Sequence, residues 1–225
     1  MKKSNEKIIV LARHGQTDFN LEGKIQDPLH PHLTEIGRQQ AKALGIEVNN
    51  LGLSFDVIIC ADAKRNIETL EEIYPDYKEI KIIKIDPRLQ ERYHRDLVGK
   101  TKKDIEADLC EKFVDRLSWH LYFEGTDRSK LTAKNYKNDE SLDSVKERIM
   151  SLIEDLKDKA NVLLIGSSVV NQYILEYLQY GTIGVQKPQF PTGNDLDFQE
   201  NDELRILKLD GNMKMRDYSS LKLIT

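Results

Sequence analysis

Ile8-Ile9-Val10-Leu11-Ala12-Arg13-His14-Gly15-Gln16-Thr17 decides how the rest of this chain is read. The continuous apolar run suits a strand buried on both faces. An arginine, a histidine and a glycine follow it at once. Neutral imidazole is a competent nucleophile near neutral pH. The guanidinium suits phosphate or carboxylate geometrically, and Gly15 would let backbone N–H groups approach an anion. Taken alone, Arg13-His14 is more simply a polar loop that ends a strand.

The same pattern recurs outward from there. A helix is expected from about Thr34 to Val48, with Ile36, Ala41, Leu44 and Val48 on its buried face. Val57-Ile58-Ile59-Cys60 is a second buried strand, followed by a helix from about Lys64 to Ile73. Ile80 to Ile85 alternates like an edge strand. Ile105, Leu109, Phe113 and Leu117 place a helix over about Lys102 to His120. Ser141 is expected to cap a helix with Val145, Ile149, Leu152, Ile153 and Leu156 on its buried face. Val162-Leu163-Leu164-Ile165 is a third buried strand, with a helix over Val169 to Leu178 after it. Leu204 to Leu209 is a last strand, closed by the Asp210-Gly211 turn. Strands alternating with helices predict an α/β fold, a mostly parallel central sheet with helices on both faces. Ligands in such sheets sit outside the carboxyl ends of the strands. No linker or repeat divides the chain, so residues 1–225 read as a single domain with polar excursions near 125–140 and 181–202.

Composition narrows the function classes. Thirty-four Lys+Arg against 38 Asp+Glu leave a net charge of −4, which argues against a general nucleic-acid binder. No apolar run reaches the roughly 18 residues of a membrane span, and the charged start leads into too few apolar residues for a signal peptide. Two cysteines make no disulfide framework, so a reducing, cytoplasmic setting is expected. All five histidines lie within the first 120 residues.

That last count removes one candidate. Gly166-Ser167-Ser168-Val169 resembles a nucleophile elbow, but position 170 is valine, and a hydrolase of that kind needs a later histidine. A cysteine phosphatase is also disfavoured: four residues separate Cys60 from Arg65 where that loop has five, so Cys60 reads as a core residue. Arg65, near a helix start, is placed to add a second cation to the crevice. His30-Pro31-His32 reads as a turn, not a metal site.

Several segments in order resemble one family. Arg13-His14-Gly15-Gln16-Thr17, Asn20, Gln26, Leu33-Thr34, Gly37 and Gln40-Ala41 follow the opening signature of the histidine phosphatase superfamily, which includes the cofactor-dependent phosphoglycerate mutases. Ala61 to Arg65 with Thr69, Arg88 to Glu91 with Gly99, Glu140-Ser141 with Arg148, and Val162 to Val170 are similar to its later segments. The resemblance implies a phosphoglycerate mutase-like fold and catalysis through a phosphohistidine at His14. Glu91 would act as acid and base, while Arg13 and Arg65 hold the phosphoryl oxygens. Gln16, Thr17, Asn20, Gln26, Arg92, Ser167 and Ser168 would line the phosphate or substrate site. No metal or cofactor is implied. The expected partner is a phosphorylated small molecule, and the oligomeric state is left open.

The chain also departs from that family. Its second catalytic histidine is expected where Ser167 stands, and the following glycine is Ser168. Asp27 replaces a glycine, adding negative charge near a phosphate site, and His94-Arg95 replaces an aromatic-glycine pair. Losing one preorganised donor typically costs about 10²–10³ in rate, so a weakened phosphohydrolase is the first expectation. A non-catalytic phospholigand-binding module is the second and a phosphoglycerate mutase the third. His94 is a candidate substitute for the missing group.

Overall fold

The structure, a computed structural model, describes residues 6–109, 140–183 and 199–223. Among these residues six strands form one mixed sheet. They are β1 (Lys7–Arg13), β2 (Val57–Cys60), β3 (Ile83–Ile85), β4 (Asn161–Gly166), β5 (Glu203–Leu209) and β6 (Met215–Lys222). Their order is β3-β2-β4-β1-β5-β6. The first four are parallel, β5 runs antiparallel beside β1, and β6 runs antiparallel beside β5. The helices are α1 (Asp18–Glu22), α2 (Glu35–Asn50), α3 (Lys64–Ile73), α4 (Lys102–Leu109), α5 (Leu142–Glu154) and α6 (Ser168–Tyr180).

Strand alternation divides the core into two layers. Ile9, Leu11, Val57, Ile59, Val162 and Leu164 face α5 and α6 through Val145, Ile149, Leu152, Tyr173 and Ile174. Val10, Ala12, Ile58, Cys60, Leu163 and Ile165 face α2 and α3 through Leu44, Val48 and Leu70. Both faces are therefore covered, as the unbroken apolar runs predict. Each fully buried Leu or Ile in these layers stabilises the fold by about 1.5–3 kcal/mol. Cys60 is fully buried among them. Burial, helped by the Asp62 charge, pushes its thiol far up, so it is a core residue and not a nucleophile.

This layering positions the site. The helices after β1 and β2 lie on one face, and the helix after β4 lies on the other. Because β4 sits between β1 and β2, its carboxyl end is a crossover crevice of the kind that holds ligands.

Local signals hold at most helix starts. Thr34 caps α2 by accepting from the Gly37 amide, and Ser141 caps α5 by accepting from Ser144. Ile36 is a correction: it is 53% exposed. The buried stripe of α2 is Gly37, Gln40, Ala41, Leu44, Gly45 and Val48, and Ile36 lies about 100° off its first member. The strand expected over Ile80 to Ile85 shortens to Ile83–Ile85, because Tyr77–Glu79 forms a 3-10 turn whose carbonyls hold the Ile80 amide. The helix expected to His120 is described as far as Leu109. Phe113, Leu117, Trp119 and His120 lie outside the described residues, as do 125–139 and 184–198 of the two excursions.

Candidate active site

Three strand ends and one loop converge. Arg13 pairs with Gly166 in register, and the His14 amide donates to the Gly166 carbonyl at 3.1 Å. The Asn66 side chain, from the first turn of α3, donates to that same carbonyl at 2.7 Å. The residue that follows β4 is Ser167. Gly15 is required by backbone crowding, since a Cβ there would lie 2.2 Å from the Gly37 carbonyl oxygen. The reciprocal Cβ on Gly37 would lie 2.0 Å from the Gln16 carbonyl oxygen. The loop after β1 is thus pressed onto the first turn of α2.

The His14 imidazole is almost wholly buried. Burial, reinforced by the charges of Arg65 and Arg13, holds its pKa well below the ordinary 6.5. The ring is therefore neutral near pH 7. Its Nδ1 lies 2.8 Å from the Gly15 carbonyl oxygen. A carbonyl only accepts, so Nδ1 carries the proton and Nε2 keeps its lone pair.

Two buried guanidinium groups accompany this ring. Arg65 Nη1 donates to the Asp27 carbonyl at 2.7 Å. Burial pulls the Arg65 pKa down, opposed by the charges of Glu91 and Asp27. Its Nε and the Ser167 hydroxyl are buried without a hydrogen-bond partner among the described residues. Buried polar atoms are normally satisfied, and two orphaned donors beside a neutral imidazole suit an incoming anion. Ser167 precedes α6 without capping it through its side chain.

Arg13 is held from within the excursion near 181–202, through Gln199, a residue that the sequence alone does not single out. Arg13 Nη1 donates to the Gln199 carbonyl at 2.7 Å, and Ser168 Oγ donates to the same oxygen at 3.1 Å. The fully buried Gln199 side chain donates to the Leu11 and Glu203 carbonyls, both at 2.9 Å, and accepts from Asn171 at 2.7 Å. The Asn201 amide group donates to the His14 carbonyl at 2.6 Å.

Glu91 follows β3 through the 3-10 turn Pro87–Leu89. Its Oε2 accepts from the Val169 amide at 3.0 Å, at the start of α6, and its Oε1 accepts from the Arg92 amide at 3.1 Å. The loop carrying it is clamped by Arg148, whose Nη1 donates to the Arg88 and Gln90 carbonyls, both at 2.7 Å. Arg148 also grips the Glu140 carboxylate through Nε at 2.8 Å and Nη2 at 3.1 Å. Arg92 is buried, with Nε donating to the Glu140 carbonyl at 3.0 Å.

The other expected site residues form a shell around the loop after β1. The Gln16 side chain accepts from Thr34 Oγ1 at 2.9 Å. Thr17 and Asn20 form a capping box that starts α1, and Thr17 Oγ1 lies 3.1 Å from Gln26 Oε1. Asp27 brings its charge near Arg65. Its carboxylate is taken up by its own turn, accepting from the Leu29 amide at 2.6 Å and the His30 amide at 2.9 Å, with His30 Nδ1 at 2.8 Å. Burial raises its pKa, but these bonds outweigh burial and hold it below the usual carboxylate value. Toward Arg65 it presents its carbonyl. His32 Nδ1 lies 2.6 Å from Glu68. The two histidines of the His30-Pro31-His32 turn therefore contact different carboxylates. His94 is half-buried, and its carbonyl accepts from Leu97 at 3.0 Å.

Known proteins agree with this architecture. The sequence pattern of the histidine phosphatase superfamily (branch 1) matches residues 9–194, and the chain belongs to that superfamily. It is 34% identical over 111 residues to a 2,3-bisphosphoglycerate-dependent phosphoglycerate mutase of Bartonella henselae, covering 48% of this chain. That match takes in 53% of the relative, so the chain spans about half the length of the curated relatives it matches. Two solved structures share its fold. A mycobacterial glucosyl-3-phosphoglycerate phosphatase has a TM-score of 0.68 at 22% identity, over 97% of this chain and 98% of that one. The alpha-ribazole phosphatase of Shigella flexneri has a TM-score of 0.67 at 17% identity, over 97% and 96%. Among the described residues no helix is long and apolar enough to cross a membrane.

Proposed function

We propose that the chain, as a single domain, hydrolyses a phosphate monoester of a small molecule through a phosphohistidine at His14. One observation carries this reading: a buried imidazole kept neutral, with its proton on Nδ1 and its Nε2 lone pair available, lies within the fields of two buried guanidinium groups. Nε2 attacks phosphorus, and Arg13 and Arg65 stabilise the charge on the phosphoryl oxygens. Glu91 handles the protons of the leaving oxygen and of the attacking water. Arg92 and the shell of Gln16, Thr17, Asn20, Gln26 and Ser168 shape the site. The reading uses no metal or cofactor and places the reaction in the cytoplasm. Incubation with a panel of phosphate esters tests it, with recovery of acid-labile phosphate on His14. Turnover by wild type and none by His14→Ala supports the assignment. Absence of both product and phosphoenzyme across the panel refutes it.

A second reading rests on Ser167. We propose that it stands where the superfamily carries its second histidine, one residue beyond the β-ladder that joins β4 to β1. A neutral hydroxyl there replaces an imidazolium. The chain would then bind phosphorylated ligands without turnover, which calorimetric binding of phosphate with no detectable hydrolysis supports. A mutase reading draws on the Glu91-Arg92 segment and the names of the partial relatives. A phosphoglycerate isomerisation assay primed with bisphosphoglycerate decides it.

A further inference from the structure

We infer that the site accepts phosphoryl donors whose leaving group departs as a stable anion, namely aryl phosphates, acyl phosphates and phosphoanhydrides, and discriminates against alkyl phosphate esters. The inference rests on the phosphatase reading above, narrows its monoesters to aryl esters, and adds acyl phosphates and phosphoanhydrides.

The reason lies in what surrounds Glu91. Its Oε2 accepts from the Val169 amide at 3.0 Å and its Oε1 from the Arg92 amide at 3.1 Å. Ser167, the residue that would normally cap α6, makes no side-chain cap, so the Glu91 carboxylate takes that place on a 13-residue helix. The attraction between Glu91 and the buried Arg65 guanidinium acts in the same direction. Amide donors, a helix N-terminus and a nearby cation all favour the carboxylate over the carboxylic acid. Only the acid can protonate a departing alkoxide. Only the carboxylate can take a proton from water. Glu91 is therefore better placed for the second of its two roles than for the first.

The two steps follow. The Nε2 lone pair of His14 forms the N–P bond while the P–O bond to the leaving group breaks. That electron pair leaves on oxygen as a phenolate, carboxylate or phosphate, which needs no proton from the protein. Water oxygen then bonds to phosphorus as Glu91 takes the water proton. The N–P bond breaks and its pair returns to Nε2, releasing inorganic phosphate, and Glu91 loses the proton to solvent.

The test is kcat/KM, which reports phosphoryl transfer to His14, across substituted phenyl phosphates, acetyl phosphate and glycerol phosphate. The expected result is a steady fall as the leaving-group pKa rises, with glycerol phosphate at the bottom. Glu91→Gln keeps a carbonyl acceptor for Val169. With nitrophenyl phosphate it should retain the first-turnover burst within a few-fold while phosphohistidine accumulates. Equal kcat/KM for alkyl and aryl esters overturns the inference and leaves the phosphatase reading standing. Loss of the burst in Glu91→Gln, at unchanged thermal stability, also overturns it. Failure of every substrate to give product or phosphoenzyme removes the phosphatase reading and this inference together.

Discussion

The His14 amide and the Gly166 carbonyl are joined by a 3.1 Å hydrogen bond, so the histidine and Ser167 leave neighbouring parallel strands side by side. This adjacency makes position 167 the most informative place to change. Ser167→His puts a cationic donor where a buried hydroxyl has no partner among the described residues. Hydrolysis of an aryl phosphate should rise on the order of 10²-fold. An unchanged rate, with the variant folded by circular dichroism, sinks the idea that a missing donor limits the reaction.

The buried neutral state of His14 has a consequence for stability. Its folded pKa is lowered, so the unfolded chain binds a proton that the folded chain does not. The resulting stabilisation is present above the unfolded value of about 6.5 and is lost as pH falls toward the folded value. Melting temperature should therefore drop between about pH 7.5 and about pH 5, and His14→Asn should flatten that drop. Other groups titrate in the same window, so the measured quantity is the difference between wild type and variant. Parallel curves would show that folding leaves the His14 pKa unshifted and would overturn this account.

Gly37 tests the close approach of the two backbones. A methyl group there would sit 2.0 Å from the Gln16 carbonyl oxygen. Relief requires moving the loop that carries Arg13 and His14. Gly37→Ala should cost about 1–3 kcal/mol by urea unfolding, and phosphate affinity should fall as well. Gly52, at a left-handed turn with no atoms near its missing Cβ, serves as a control: Gly52→Ala should leave phosphate affinity unchanged.

Arg148 makes four hydrogen bonds, two to the Arg88 and Gln90 carbonyls of the Glu91 loop and two to the Glu140 carboxylate. Arg148→Ala leaves the half-buried Glu140 carboxylate and two carbonyls without that donor, and should cost about 1–3 kcal/mol. Arg148→Lys keeps the charge but lacks the planar fork. It should recover part of the stability while kcat stays low, because Glu91 is no longer held in place. Full kcat in Arg148→Lys would show that the clamp is structural only.

The strands around the site were legible because a parallel strand buried on both faces is written as an unbroken apolar run. Val10-Leu11 and Leu163-Leu164 are of this kind. The edge strand β6 has no such signature: six of its eight residues are exposed, and its pairing comes from backbone bonds to β5. The short helix α1 was missed for a related reason, although Thr17 and Asn20 carry its capping box. Arg65 could be placed from its position after a strand. Gln199, Asn171, Asn66 and Asn201 could not, because each acts through a partner more than 25 residues away. A buried asparagine or glutamine looks locally like any loop residue. Asp27 was legible in part. Its charge was legible, but the turn that absorbs it depends on geometry that residue type alone does not carry.

The bonds from Arg13 to Gln199 and from Asn201 to His14 span 186 and 187 residues. They close very long loops, and loop-closure entropy delays such contacts until the strands between them are in place. Recovery of phosphoryl transfer on refolding should therefore trail the return of helical signal. Enzymatic activity would then report complete assembly of the chain, and an early collapsed state with most of its helices would remain inert.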